Sequence, residues 1–598
     1  MIILCQLSRK NFSYNVAKLS VLTLVFAFCT VGMSIERNSL QTNVTFRTTD
    51  VKLQRLFDAA QAKSASNIVQ FTPTMKVLVE GGGYGNAWIE TQPMGGEMYA
   101  KRNLEVALNN QLVFMLTQRS DGRLPGMVIN TKTGLEKYES KTVPAEMIWM
   151  PKPKILADFE MFQGYCFPGP AWRMYFWIGK DKEYLRKLYK ALEAHDGYLW
   201  RTRDSNGDGI LETWCVWDTG EDGSSRLNKR RAPYRWPFDF PPNPKKVKNP
   251  NRYWSGVPKP EQVLVPFASM DVMSYSYDGR NTLAKIAREL GNGRAEFWEK
   301  QADQVRRRLI KGLWDPSRHA CFDRDRNGKQ LNELIHNNLR VMYHGTFTQS
   351  MADKFIKHHL LNPDEFWTPL PLPSIAVNEP LYRNHPGNDW SGQPQGLTYQ
   401  RAIGALENYG HFAEVSLLGQ KLIPVLISND CKFSQQLDPQ TGKDEAKRKR
   451  DGYGPMMLAT MEYISRMYGI HLDVADSKVW WSSLGEKEFT YTQKWGRQSW
   501  SMTSKNGTFT AHRNGKELFS SATGVRVLTD LKGNISEIVG IAPTPQSIVF
   551  QAGNTRHELI VSPNHVYRLA NGKLIPLRTV PFDYPYHKED SYRKIKSD

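Results

Sequence analysis

A chain of 598 residues is too long for one ordinary hydrophobic core, so about two or three domains are expected. Lys and Arg exceed Asp and Glu by 79 to 60, a formal charge of +19. The basic residues sit in separate patches, Lys245-Lys246-Val247-Lys248, Arg306-Arg307-Arg308 and Lys447-Arg448-Lys449-Arg450, with no nucleic-acid motif, so they read as solvated loops and helix faces rather than a nucleic-acid surface.

Residues 1–34 read as a secretory signal. Arg9, Lys10 and Lys18 form a basic start, Leu19 to Phe28 an apolar run, and small residues follow near Gly32 and Ser34. The run is too short to span a bilayer, and no other stretch has a transmembrane pattern. Export to the periplasm or the cell exterior is expected. Four cysteines remain after residue 34, Cys166, Cys215, Cys321 and Cys431, scattered and without metal-ligand spacing. Their spacing leaves pairing open and favours core burial. No cofactor and no metal is implied.

From residue 50 to 470 helical stretches alternate with long loops rich in Gly, Pro and Trp. Apolar periodicity predicts helices over Glu97–Gln118, Lys182–Trp200, Asp271–Leu290, Ala295–Leu313, Gly396–Glu407, His411–Leu426 and Pro455–Tyr468. Strand signal is sparse there. Helix pairs joined by loops predict a mostly α domain, an (α/α) toroid over 40–475, with a site in the loops at one end. After Val474 short β-type runs such as Phe489-Thr490-Tyr491-Thr492 and Ser547-Ile548-Val549-Phe550 alternate with turns such as Lys505-Asn506-Gly507. They predict a small all-β, sandwich-like accessory domain over 480–580. A polar tail, 581–598, follows.

The chemistry concentrates in Trp217-Asp218-Thr219-Gly220-Glu221-Asp222-Gly223-Ser224-Ser225-Arg226. Flat rings stack on sugar faces, acids and Arg bind hydroxyls, and one carboxylic acid can protonate a glycosidic oxygen. Two Asp/Gly runs, Asp204 to Gly209 and Asp323 to Gly328, begin like calcium loops but carry Cys215 and Leu334 where such a loop needs Glu, so they read as tight turns. Gly81-Gly82-Gly83-Tyr84-Gly85 lacks the Lys-Ser/Thr of a phosphate loop and reads as a loop passing close to the site.

The segment from Thr219 to Arg226 resembles the Ser-Gly-x-Asp-x-Ser-x-Arg motif of inverting α-glycosidases with an (α/α)6 barrel, shared by trehalases and glycoside hydrolase family 63, which includes the mannosylglycerate hydrolases. Thr219 stands for Ser, and Gly223 is a second departure. The resemblance puts the general acid on Asp222 and implies that Trp217, Asp218, Glu221 and Arg226 surround the sugar. Trp88-Ile89-Glu90-Thr91 is similar to the family's Trp-x-Asp-Thr/Ser segment, which implies a wall at Trp88 and a hydroxyl ligand at Glu90. Asn388 to Gly396 loosely resembles a third pocket segment, bringing in Trp390 and Gln393, with Ser391 where an Arg is usual.

The fourth segment departs at a decisive point. The family carries its general base as Glu in Glu-x-Tyr-x-Pro-x-Thr-Gly; here Pro439, Thr441 and Gly442 keep the register and Gln435 holds the base slot. An amide cannot accept a proton from water at useful pH. Asp438 and Asp451 are the nearby carboxylates expected to take the role. The leading expectation is an exported inverting α-glycosidase. A carbohydrate-binding protein without turnover, and a sugar phosphorylase or other sugar-processing enzyme on the same barrel, are the alternatives. The sugar and the oligomeric state are not encoded in these motifs.

Overall fold

The computed structural model describes residues 40–130, 147–149, 155–159, 162, 164–229, 232, 265–447 and 450–582. The signal-like segment 1–34, the basic run Lys245-Lys246-Val247-Lys248 and all but the first two residues of the tail 581–598 lie outside them.

Helix Met270–Leu290 shows how the local sequence sets the elements. Ser269 caps its start by accepting from Val272 N–H, and Gly291, at φ 64°, ends it. Ala295–Leu313 then returns along it, burying Trp298, Ala302, Val305, Leu309 and Leu313 on one stripe. Among the described residues six helices pack in a closed cycle. Gln92–Tyr99 meets Pro168–Trp177, which meets Met270–Leu290. Asn337–Tyr343, Gly396–Glu407 and Gly454–Tyr468 follow in turn, and the last returns to Gln92–Tyr99. Every residue of Gly454–Tyr468 is buried, as expected for a helix covered on all sides. Helices Leu104–Leu116, Lys182–Thr202, Ala295–Leu313, Phe412–Ser428 and Val51–Ser66 back members of this cycle.

Two differences from the sequence reading have physical causes. The helix expected over Glu97–Gln118 is broken into Gln92–Tyr99 and Leu104–Leu116, because extended Asn103 caps a new start by accepting from Val106 N–H. The helical region also holds short strands, including the hairpin Ile68–Thr72/Met75–Leu78 and a sheet that pairs Ala87–Trp88 with Met127–Asn130. The tight-turn reading of Asp204 to Gly209 matches the structure, where Asp204 Oδ1 accepts from Gly209 N–H.

The C-terminal region forms two antiparallel sheets. One has six strands, beginning with Gly469–Asp473, eleven residues before the expected start at 480. The other has seven, and its edge strand comes from the far end of the chain: Thr42–Thr48 pairs with Phe489–Trp495, setting Phe46 opposite Tyr491. The sheets meet through Trp481 and Phe519, 6.0 Å between ring centres. Arg526 ties this unit to the helices through Glu407 at 2.7 Å, and Asn564 does so through Glu414 at 2.8 Å. Cys166, Cys215, Cys321 and Cys431 are buried free thiols. Among the described residues no helix is long and apolar enough to cross a membrane.

Candidate active site

Asp222 sits on a turn between two glycines in the left-handed conformation. Gly220 (φ 75°) ends the short helix Val216–Thr219, and Gly223 (φ 67°) leads into Ser225–Lys229. A methyl group on Gly220 would lie 2.6 Å from the Glu90 carboxylate. The turn is pinned where Trp390 N–H donates to Asp222 O at 2.9 Å. Gly220 therefore serves two needs at once, a left-handed backbone and close passage over a buried acid.

A chain of polar groups joins Asp222 to the base slot. Tyr84 O–H donates to Gln435 Oε1 at 2.8 Å, Gln435 Nε2 donates to Asn388 Oδ1 at 2.7 Å, and Asn388 Nδ2 donates to Asp222 Oδ2 at 2.7 Å. The two 2.7 Å bonds and the one amide between them hold Gln435 Nε2 no more than about 8 Å from Asp222 Oδ2, under the roughly 9.5 Å upper limit of an inverting pair. Asn388 has φ 66°, and its N–H donates to Gln436 Oε1 at 2.9 Å. Gln436 in turn donates to Gln393 Oε1 at 2.7 Å. Beside this chain lies a cavity of about 770 Å³, lined in part by Tyr84, Trp88, Asn388, Gln435, Gln436 and Arg450. The Arg450 guanidinium lies 4.9 Å from the Tyr84 ring centre. This residue of the Lys447–Arg450 run is thus part of the cavity wall and not only a solvated charge.

The structure separates the residues that the sequence grouped. Trp88 and Trp217 do come together, in one apolar cluster with Tyr84 and Met127. Glu90 lies deeper, 4% exposed, with Arg340 at 3.9 Å and Arg401 at 3.7 Å. The other expected sugar ligands make contacts within the protein. Asp218 is fully buried against Arg203 at 2.6 Å and accepts from Trp214 N–H. Glu221 and Arg226 pair at 2.5 Å, and Arg226 also meets Asp323 at 2.9 Å. Burial raises the Glu221 carboxyl, but Arg226, His336 and Arg340 outweigh it and hold the group well below the ordinary carboxylate range. Its charge is therefore compensated within the wall. Trp390 packs its ring beside His336, 5.4 Å away, and Gln393 supports Gln436 and Asn384.

Asp438 and Asp451, the expected substitutes for the base, both make contacts of their own. Asp438 closes its own turn: Oδ1 accepts from Gln440 N–H and Thr441 N–H, and Oδ2 accepts from Asn384. Asp451 pairs with Lys63 at 2.5 Å and accepts from Phe433 N–H at 2.9 Å. Burial raises its carboxyl and the Lys63 contact more than reverses this, leaving it lowered. Neither lines the cavity, and Asp222 reaches it only through Asn388.

Two carboxyls carry no motif: Asp444, which lines the cavity and accepts from Ser434 Oγ at 2.6 Å, and Glu80. Glu80, directly before the glycine run, is 7% exposed; its backbone oxygen accepts from Gly454 N–H at 2.6 Å, and its side chain accepts from the Tyr453 hydroxyl. Burial, then the negative neighbours Glu90 and Asp222, push its carboxyl up to about 8. A carboxyl raised on folding contributes stability below its unfolded value, near 4.5, and that contribution is lost as pH climbs through the folded value. Glu80→Gln is therefore expected to melt progressively higher than the wild type as pH rises from about 4.5 to about 8. A melting difference that stays flat across that window, measured by calorimetry, would show that Glu80 is not so perturbed.

Residues 85–456 match the family model of the mannosylglycerate hydrolase MGH1-like glycoside hydrolase domain. No curated protein matches the chain. Among solved structures the chain is similar to the family 63 mannosylglycerate hydrolase from Thermus thermophilus in complex with glucose, at 17% identity and TM-score 0.52, covering 68% of this chain and 99% of that one. It is also similar to a structure described as a sialidase, at 14% identity and TM-score 0.57, covering 83% of this chain and 42% of that one. The family 78 rhamnosidase of Bacillus sp. GL1 matches at 9% identity and TM-score 0.50, covering 78% of this chain and 40% of that one. At these identities the structures speak for the fold.

Proposed function

Because the chain belongs to the mannosylglycerate hydrolase MGH1-like glycoside hydrolase family and is a glycosidase, we propose that it cleaves an α-glycosidic bond with inversion, Asp222 giving the proton to the leaving oxygen. The observation that supports this reading is the Tyr84–Gln435–Asn388–Asp222 chain, which links the motif acid to the base slot beside one cavity. The closed cycle of six helices is read as the inner ring of an (α/α)6 toroid, with these loops at one end. Trp88 and Trp217 wall the sugar, and Glu90 lies at the floor. The signal-like segment 1–34 supports export.

The test is a panel of aryl α-glycosides, natural disaccharides and mannosylglycerate offered to the purified chain, with and without inorganic phosphate. The expected result is phosphate-independent sugar release from at least one α-glycoside. Release only with phosphate identifies a phosphorylase. Sugar binding by calorimetry without turnover identifies a binding protein.

A further inference from the structure

The seven-stranded sheet ends on an open edge. Thr555–Val561 is its last strand, and among the described residues its one ladder neighbour is Gln546–Ala552. The ladder runs without a bulge from Gln546 opposite Val561 to Ala552 opposite Thr555, where the two-residue turn Gly553-Asn554 closes it. A two-residue turn makes its flanking pair a hydrogen-bonded one, and such pairs alternate along the strands. Thr555, His557 and Leu559 therefore turn their peptide groups toward Gln546–Ala552. Arg556, Glu558 and Ile560 turn theirs to the open side, where the Ile560 carbonyl accepts from the Tyr567 hydroxyl at 3.1 Å.

An exposed edge is a template for another strand unless proline, a bulge or a cover blunts it. The edge strand Lys573–Thr579 of the six-stranded sheet carries Pro576, and its ladder shifts register. Thr555–Val561 has neither device. Its outer face bears Arg556, Glu558 and Ile560, the last 65% exposed, with exposed Val549 beside them on the neighbouring strand. Arg556 and Glu558 meet along the strand at 2.8 Å, with side chains 60% and 69% exposed.

We propose that this edge pairs with the same edge of a second copy of the chain, antiparallel about a two-fold axis at His557. The axis sets Arg556 of each copy opposite Glu558 of the other. Both residues present outward peptide groups, so each such pair exchanges two backbone hydrogen bonds. Ile560 comes beside the other copy's Gly553-Asn554 turn. His557, on the axis, belongs to the opposite face, its ring 6.2 Å from that of Phe550. Charge selects this register over its neighbours. An axis at Glu558 would set that carboxylate opposite its own copy, and an axis at Arg556 would do the same with two guanidinium groups. Unlike charges directly opposite stabilise a strand pair, and like charges destabilise it. The contact is that of two short strands, so the dimer is weak and grows with concentration.

Sedimentation of the full chain over a rising concentration series tests this. The wild type is expected to pass from one chain to two. Arg556→Glu and Glu558→Arg each make both cross-strand pairs repulsive and should weaken the dimer by about tenfold or more. In an equal mixture of these two variants opposite charges meet again at both pairs, and association should return to the wild-type level. That recovery also shows that each variant is folded. A chain carrying both substitutions should dimerise as the wild type does. A wild type that stays a single chain throughout leaves the edge to a strand of some other protein and overturns the proposal. Reversals that leave the association unchanged overturn it as well, as does a weakening that mixing fails to repair.

Discussion

Asp222→Asn is expected to lower kcat by about 10²–10⁴-fold while leaving the melting temperature within a few degrees. Asparagine has nearly the same shape, so the turn between Gly220 and Gly223 and the bond from Trp390 N–H to the backbone oxygen survive. What is lost is the proton that the leaving oxygen needs. The loss should be smallest for substrates with acidic leaving groups such as nitrophenol, which depart without protonation, and largest for natural disaccharides. Equal losses on both substrate types would mean that Asp222 positions the sugar and does not protonate it.

Gln435→Glu is expected to raise hydrolysis by about tenfold or more at neutral pH, since it restores a carboxylate to the base slot. The hydrogen bonds explain why the effect reaches Asp222. A glutamate keeps the bond from Tyr84 O–H but has no N–H to offer Asn388 Oδ1. The Asn388 amide must turn over, giving its N–H to residue 435 and its oxygen to Asp222. That last contact is satisfied only when Asp222 carries a proton. The variant thus gains a base and primes the acid, and its alkaline limb should move to higher pH. Unchanged turnover with the limb in place would show that the slot no longer faces the reacting water.

The elements most legible in the sequence were those with long uninterrupted periodicity. Ala295–Leu313 and Gly396–Glu407 were read with the bounds they have. The break at Asn103 was not, because a cap inside an apolar run is a local backbone choice that periodicity averages away. Asp222 was legible because its glycines and neighbours form a dense motif. Asp218, Glu221 and Arg226 belong to the same motif, and sequence spacing does not reveal the buried ion pairs that they make. Asp438 and Asp451 were attractive for their nearness to Gln435 in sequence. One is consumed in closing its turn and the other reaches Lys63 on the helix Val51–Ser66. Glu80 had no motif. It lies 355 positions before Gln435, and the hairpin end that carries it packs against the start of Gly454–Tyr468.

The most direct test of the central claim is the configuration of the sugar at the moment of release. Proton NMR of the anomeric region, recorded in the first minutes of hydrolysis of an α-glycoside and before mutarotation, should show the β-anomer first, with the signal abolished in Asp222→Asn. First appearance of the α-anomer would mean retention, a covalent intermediate and carboxyls only about 5–5.5 Å apart, and would contradict the account.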